Sequence, residues 1–227
     1  MIPIRDENPT HTFPIVTYLL IGLNVLIFIF QTSLGQYNQA FVYQFAIIPD
    51  QLTSNLSLAN VTDIFTSMFM HAGLAHVGGN MLYLWIFGDN VEDRLGSGRY
   101  FLFYLLGGLV ASLAHVLTNP NSQVPTVGAS GAIAAVLGAY FVLYPQQRVL
   151  TLIPLGFFLR MTMLPAGLVL GAWFVLQFFQ GVMSLGGPDM GGVAFMAHIG
   201  GFVVGVLLGK ILQKPEPPQR QNRPGRR

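Results

Sequence analysis

No cysteine occurs anywhere in the chain, so neither a disulfide framework nor a thiol nucleophile is available to it. Charge is almost as scarce: Asp, Glu, Lys and Arg make up 9% of 227 residues, against 52% hydrophobic ones and a mean hydropathy of +0.57. A soluble domain carries about 25% charged residues, so this composition excludes an ordinary water-soluble globule and indicates a polytopic membrane protein. Acidic residues are missing altogether between Asp93 and Asp189. The later apolar runs therefore hold no carboxylate that could bind a metal or orient a base.

Apolar runs of spanning length, about 20 residues, fall at roughly 14–31, 77–91, 100–118, 127–144, 163–183 and 193–212. The fold expected is an all-α membrane protein with six transmembrane helices. Residues 1–13 form its N-terminal segment, 14–213 the six-span domain, and 214–227 a Pro-, Gln- and Arg-rich tail expected to be disordered and drawn to anionic headgroups. The first run lacks a small-residue cleavage site and a strongly basic start, and is read as retained.

Orientation follows from another absence. The connections between runs one and two, three and four, and five and six contain no Lys or Arg. Arg5, Arg94 with Arg99, Arg148 with Arg160, and Lys210 onward occupy the opposite side. By the positive-inside rule both termini are expected in the cytoplasm. The pI near 9.0 thus reports topology and not nucleic-acid binding. With no organelle-targeting segment recognised, a bacterial inner membrane is the simplest location.

Residues 32–75 make an outer connection too long to be a simple loop, and such loops are usually functional. Val61, Ile64, Phe65, Met68 and Phe69 recur within it at helical spacing, so part of it is expected to lie in the outer interface. Beyond it, His76 and Asn80 are four residues apart and share a helix face. Polar groups at such a depth are functional hypotheses by default, although a His and an Asn can also simply tie helices together. His71 and His115 are expected at the outer interface. Glu92 and Arg94, in the turn after the second run, are expected to pair locally or with neighbouring backbone in a structural role.

Gly128-Ala-Ser130-Gly131 opens the fourth run. Two glycines let the backbone turn sharply and bring the Ser130 hydroxyl close to the free N–H groups of a helix start. The competing explanation is close packing by small residues. In the last run Gly201, Gly205 and Gly209 recur every fourth residue, and His198 lies just before them. If that smooth face meets the small-residue face of the fourth run, Ser130 meets His198. Counted at 1.5 Å per residue, Ser130, His76, Asn80 and His198 all fall in roughly the outer third to half of a bilayer about 30 Å thick. Trp173, Phe174, Phe178 and Phe179 in the fifth run are read as packing residues or as parts of a lateral opening.

Taken in order, His76-x-x-x-Asn80, Gly128-Ala-Ser130-Gly131 and Ala197-His198-x-x-Gly201-x-x-x-Gly205 resemble the rhomboid family of intramembrane serine proteases. The resemblance extends over the membrane domain, including the long outer loop and Glu92-x-Arg94-x-Gly96. It implies a six-helix rhomboid bundle in which Ser130 is the nucleophile and His198 the base. His76, Asn80 and the Ser130 N–H would stabilise the oxyanion, with Gly128 admitting substrate backbone. It also implies no cofactor and no metal, and transmembrane proteins as substrates within the lipid bilayer, entering past the fifth run. Oligomeric state has no signal in the sequence. Two positions depart from the family pattern. Ala134 stands where many bacterial members carry an aromatic against the histidine, and the outer loop lacks a Trp-Arg pair. A catalytically silent relative that binds membrane clients is the alternative. A metal transporter using His71, His76, His115 and His198 is a third reading, weakened by the absence of carboxylates.

Overall fold

The computed structural model describes residues 1–156, 158–184 and 193–214. The chain runs β1 (Ile2–Asp6), α1 (Ile15–Ser33), α2 (Asn38–Phe45), α3 (Pro49–Ser54), α4 (Leu58–Thr66), α5 (Leu74–Leu95), α6 (Ser97–Thr118), α7 (Ser130–Leu143), β2 (Arg148–Leu155), β3 (Phe158–Pro165), α8 (Ala166–Ser184) and α9 (Phe195–Leu212). Among the described residues, α1, α6, α8 and α9 are long and apolar enough to cross a membrane, and α7 is a shorter apolar helix. Their large side chains point outward in helical stripes, such as Leu19, Leu23, Leu26 and Phe30 on α1 and Leu102, Leu106, Leu113 and Leu117 on α6. Exposed apolar area on this scale is incompatible with water and is what lipid tails cover. The chain is an integral, multi-pass membrane protein.

Helix α7 forms the centre. Every residue from Gly131 to Tyr140 is buried, because α5, α6, α8 and α9 surround it. A helix enclosed on all sides needs no amphipathic stripe. Small side chains set the distance to its neighbours instead. A Cβ added at Gly201 would overlap the Gly131 carbonyl, one at Gly205 the Ala135 backbone, and one at Gly209 would sit 2.9 Å from Ala139 Cα. Residues 201, 205 and 209 of α9 thus pair, turn by turn, with 131, 135 and 139 of α7. With no hydrophobic drive between helices in lipid, this backbone contact supplies the cohesion.

The expectation of an all-helical chain needs correcting. β1, β2 and β3 form an antiparallel sheet in that order, with Gly156 at φ 62° turning the chain between β2 and β3. The apolar stretch after α7 carries no period that separates strand from helix, so the strands are not legible in it. The sheet lies at the end of the bundle where Tyr140 Oη donates to Asp6 Oδ2 at 2.5 Å, Thr10 Oγ1 to Asp89 at 2.6 Å, and the Lys214 N–H to the Arg94 carbonyl at 3.0 Å. Burial holds the Asp6 carboxyl up at about 6.

Glu92 has one local partner, Ser97, as expected, and its others come from the start of α1, far away in sequence. Its buried carboxylate accepts the N–H groups of Val16 (3.0 Å) and Thr17 (2.8 Å), the Thr17 hydroxyl (2.9 Å) and the Ser97 hydroxyl (2.6 Å). The side chain on α5 therefore caps the otherwise uncapped N-terminus of α1, where unpaired N–H groups and the helix dipole favour an anion. Arg94 Nη2 donates to Gln213 Oε1 at 2.8 Å.

The long outer connection folds into α2, α3, α4 and a short turn at Ser67–Phe69. Of its apolar stripe, Ile64 and Met68 are buried in the protein while Val61 and Phe65 are exposed. Beyond Lys214, the expected tail lies outside the described residues.

Candidate active site

The start of α7 is positioned by the outer loop. Ile47 and Thr126 exchange backbone hydrogen bonds at 3.2 and 2.8 Å, and the Gly128 N–H donates to the Ser67 carbonyl at 2.9 Å. His115 Nε2 and Thr126 Oγ1 lie 3.0 Å apart. His115, expected at the outer interface, borders the central cavity. Gly128 has φ 133°, a conformation that strains any residue with a Cβ. One residue after the turn, Ser130 heads α7, where the first N–H groups have no carbonyl within the helix to bond.

His76 and Asn80 reach the same place from α5. A Cβ on Gly128 would lie 2.8 Å from His76 Cε1, 2.9 Å from its Nε2 and 3.7 Å from Asn80 Nδ2. Asn80 Nδ2 is buried and has no hydrogen-bond partner among the described residues, an arrangement that is costly without a compensating ligand. On His76, Nδ1 accepts a long 3.4 Å bond from the Ala72 N–H. A neutral imidazole that accepts at Nδ1 carries its proton on Nε2. Nε2 is thereby a donor on the side facing Gly128.

His71, expected at the outer interface, is almost completely buried in the protein, with its ring edge to His76 at 5.1 Å between centroids. Its backbone is gripped from α1, where Gln31 Oε1 accepts the His71 N–H at 3.0 Å and Gln31 Nε2 donates to its carbonyl at 3.4 Å. Burial and the neighbouring His76 lower its pKa to about 4, so the ring stays neutral.

His198, on the first turn of α9, is buried. Its Nδ1 lies 2.7 Å from Gln177 Oε1, and the Trp173 ring packs beside it at 5.8 Å between centroids. Both partners belong to α8, four residues apart and so on one face. Ala134, the position left without an aromatic, packs instead in the α7–α9 seam against Gly201. Gln177 escaped the sequence reading. Its signal was an amide inside an otherwise apolar span, the same cue that singled out Asn80.

Ser130, His198, His76, Asn80 and Gly128 all border one cavity of about 640 Å³. Ser130 Oγ makes no hydrogen bond to another described residue. Among the described residues no group of three or more His, Cys, Asp or Glu converges to hold a metal ion.

Known proteins resemble this chain along much of its length. It is 30% identical over 98% of its residues to "Rhomboid protein 1, mitochondrial" of Saccharomyces cerevisiae, of which it spans 60%. It is 33% identical over 63% of its residues to "Rhomboid protease GluP" of Bacillus subtilis, spanning 27% of that protein. It is 31% identical over 66% of its residues to "Rhomboid-like protein 11, chloroplastic" of Arabidopsis thaliana, spanning 51% of it. Relatives in mitochondria and chloroplasts mean that family membership does not by itself assign a bacterial membrane. The family model described as Rhomboid domain matches residues 58–215, which include His76, Asn80, Gly128, Ser130 and His198, and the chain belongs to the rhomboid family.

Proposed function

We propose that this protein is an intramembrane serine endopeptidase that hydrolyses peptide bonds in or near transmembrane segments of other membrane proteins. Residues 14–213 form the catalytic bundle, with α5 and α7 completing six spans. The observation that carries the reading is the convergence on one cavity of a helix-start serine, a buried histidine and the side chains of His76 and Asn80, the buried Asn80 Nδ2 having no acceptor among the described residues. Ser130 attacks the scissile carbonyl while His198 takes its proton, then returns it to the leaving amine. Negative charge developing on the carbonyl oxygen is met by Asn80 Nδ2, His76 Nε2 and the Ser130 N–H. One such donor is commonly worth about 2.7–4 kcal/mol in the transition state. Gly128 leaves room for substrate backbone beside them.

The depth of the site supports proteolysis within the layer. Helix α7 has 14 residues, about 21 Å at 1.5 Å per residue, which is shorter than a hydrocarbon core of about 30 Å. Its Tyr140 reaches the polar end that holds Asp6. Ser130, ten residues earlier, therefore lies about 15 Å above that level. Arg5, Arg94, Arg148 and Lys214 cluster at the Asp6 end, where β1 pairs with β2 and Lys214 bonds to Asp93 and Arg94. The positive-inside rule makes that side cytoplasmic and opens the cavity outward. A bacterial inner membrane suits this orientation, and substrate enters laterally past α8.

The test is labelling of the detergent-solubilised chain by a fluorophosphonate, together with cleavage of a reconstituted transmembrane substrate. Labelling by the parent, lost in both Ser130→Ala and His198→Ala, is expected. A well-folded parent that neither labels nor cleaves overturns the assignment. That outcome favours a silent, client-binding relative, the reading to which the unbonded Ser130 hydroxyl lends support; client binding that persists in Ser130→Ala would then be measured.

A further inference from the structure

We propose that Gln177 is the positioning residue for His198, acting as a neutral third member behind the dyad. The inference rests on the function proposed above. Gln177 does not border the cavity, whereas His198 does. It lies behind the imidazole, with Oε1 2.7 Å from Nδ1. An amide oxygen only accepts, so this contact requires the His198 proton on Nδ1 and leaves the Nε2 lone pair free. A base must present that lone pair to the Ser130 hydroxyl, and an imidazole held in the other tautomer has nothing to accept the proton with. When Nε2 takes the serine proton, the Nδ1–H bond to Gln177 becomes charge-assisted and stronger. The proton later leaves from Nε2 to the amine, and Gln177 neither gains nor loses one.

Two features make the contact specific. Acidic side chains are absent from residues 94 to 188, which include all of α6, α7 and α8, so no carboxylate on those neighbours competes for Nδ1. Trp173, one turn before Gln177 on α8, packs beside the ring and limits its rotation. Helix α8 thus supplies both the hydrogen bond and the aromatic neighbour, while position 134 stays small enough for the α7–α9 seam. Because the partner sits on a different helix, a displacement of α8 by about 1 Å takes the pair beyond hydrogen-bonding distance. The base is oriented only while α8 is seated on α9.

The experiment compares the full chain with Gln177→Leu and Gln177→Glu by steady-state cleavage and by ¹⁵N NMR of the histidine rings, with His198→Ala assigning the signal. The parent is expected to show His198 protonated on Nδ1. Gln177→Leu should lose that preference and lower kcat by about 10- to 100-fold, the size of loss seen when the hydrogen-bond partner that orients a metal-bound histidine is removed, with KM unchanged. Gln177→Glu, which keeps an acceptor oxygen at the same place, should restore kcat to within a few-fold of the parent. A parent protonated on Nε2, or a folded Gln177→Leu with unchanged kcat, overturns the proposal. The tautomer is read without turnover. A parent that fails to label with fluorophosphonate yet shows the Nδ1–H form would defeat the proposed function while leaving the Gln177 contact standing.

Discussion

Gly128→Ala is the most direct probe of the geometry around Ser130. An added Cβ lies 2.8 Å from His76 Cε1, whereas ordinary contact begins at 3.4 Å, so the ring must retreat by the difference, about 0.6 Å. It cannot retreat freely, because Nδ1 is held by the Ala72 N–H and the ring edge is against His71. Rotation is the remaining escape, and it swings Nε2 away from the cavity. Losing one oxyanion donor costs about 2.7–4 kcal/mol, or 10²–10³ in kcat; displacing it partially should cost about 10². Forcing φ 133° on alanine adds roughly 1–3 kcal/mol of backbone strain, which is read separately as lost thermal stability. The assay is the rate of fluorophosphonate labelling together with substrate cleavage. Gly78→Ala on α5 is the control, because nothing lies within 4 Å of its added Cβ. A folded Gly128→Ala that keeps more than about a third of the parental rate would refute the reasoning, since the donor would then be either undisturbed or unimportant.

Other perturbations test the scaffold. Gly205→Leu should prevent close approach of α9 to α7, because the clash is with the Ala135 backbone and no rotamer relieves it; thermal unfolding in detergent should show a loss of about 3 kcal/mol or more, and wild-type stability would contradict the seam. Glu92→Gln puts an NH₂ group where N–H and O–H donors now converge. Breaking a buried charged network of this kind costs about 3–5 kcal/mol, measurable by denaturant unfolding, and a change below about 1 kcal/mol would count against the cap. For Asp6 the sign follows from its raised pKa. The stabilising contribution of the protonated form is complete below the ordinary value of 3.8 and is lost as pH rises through about 6. Hydrogen exchange at residues 2–6, corrected for intrinsic rates, should therefore show more protection at pH 4 than at pH 7. Asp6→Asn should flatten that dependence, and protection rising with pH in the parent would oppose it.

Much of this architecture was legible in the residues. The apolar runs locate the helices to within a few positions, since burial in lipid demands length and hydropathy whatever the partners are. The every-fourth glycines of α9 announced a helix seam, and their register against Gly131, Ala135 and Ala139 is the one that carries His198 to the Ser130 end of α7. His76 and Asn80 stood out because polar groups at membrane depth are expensive.

What stayed hidden depends on contacts between segments far apart in the chain. The sheet was missed because pairing of Ile2–Asp6 with Arg148–Leu155 is a long-range event that local periodicity does not encode. The bonds from Glu92 to Val16 and Thr17 are not legible in sequence, because its proximity to α1 exists only once α1 and α5 are packed. Ala134, on the helix that carries the serine, left open in the sequence what contacts His198, and the contacts come from Gln177 and Trp173 of α8. Sequence by itself determined which segments are apolar helices and which polar side chains they carry, because length and hydropathy are properties of each segment. Tertiary structure alone decided which of those side chains face one another, because a 2.7 Å hydrogen bond such as that between Gln177 and His198 depends on the rotation and depth of two helices, quantities set by packing and not by hydropathy.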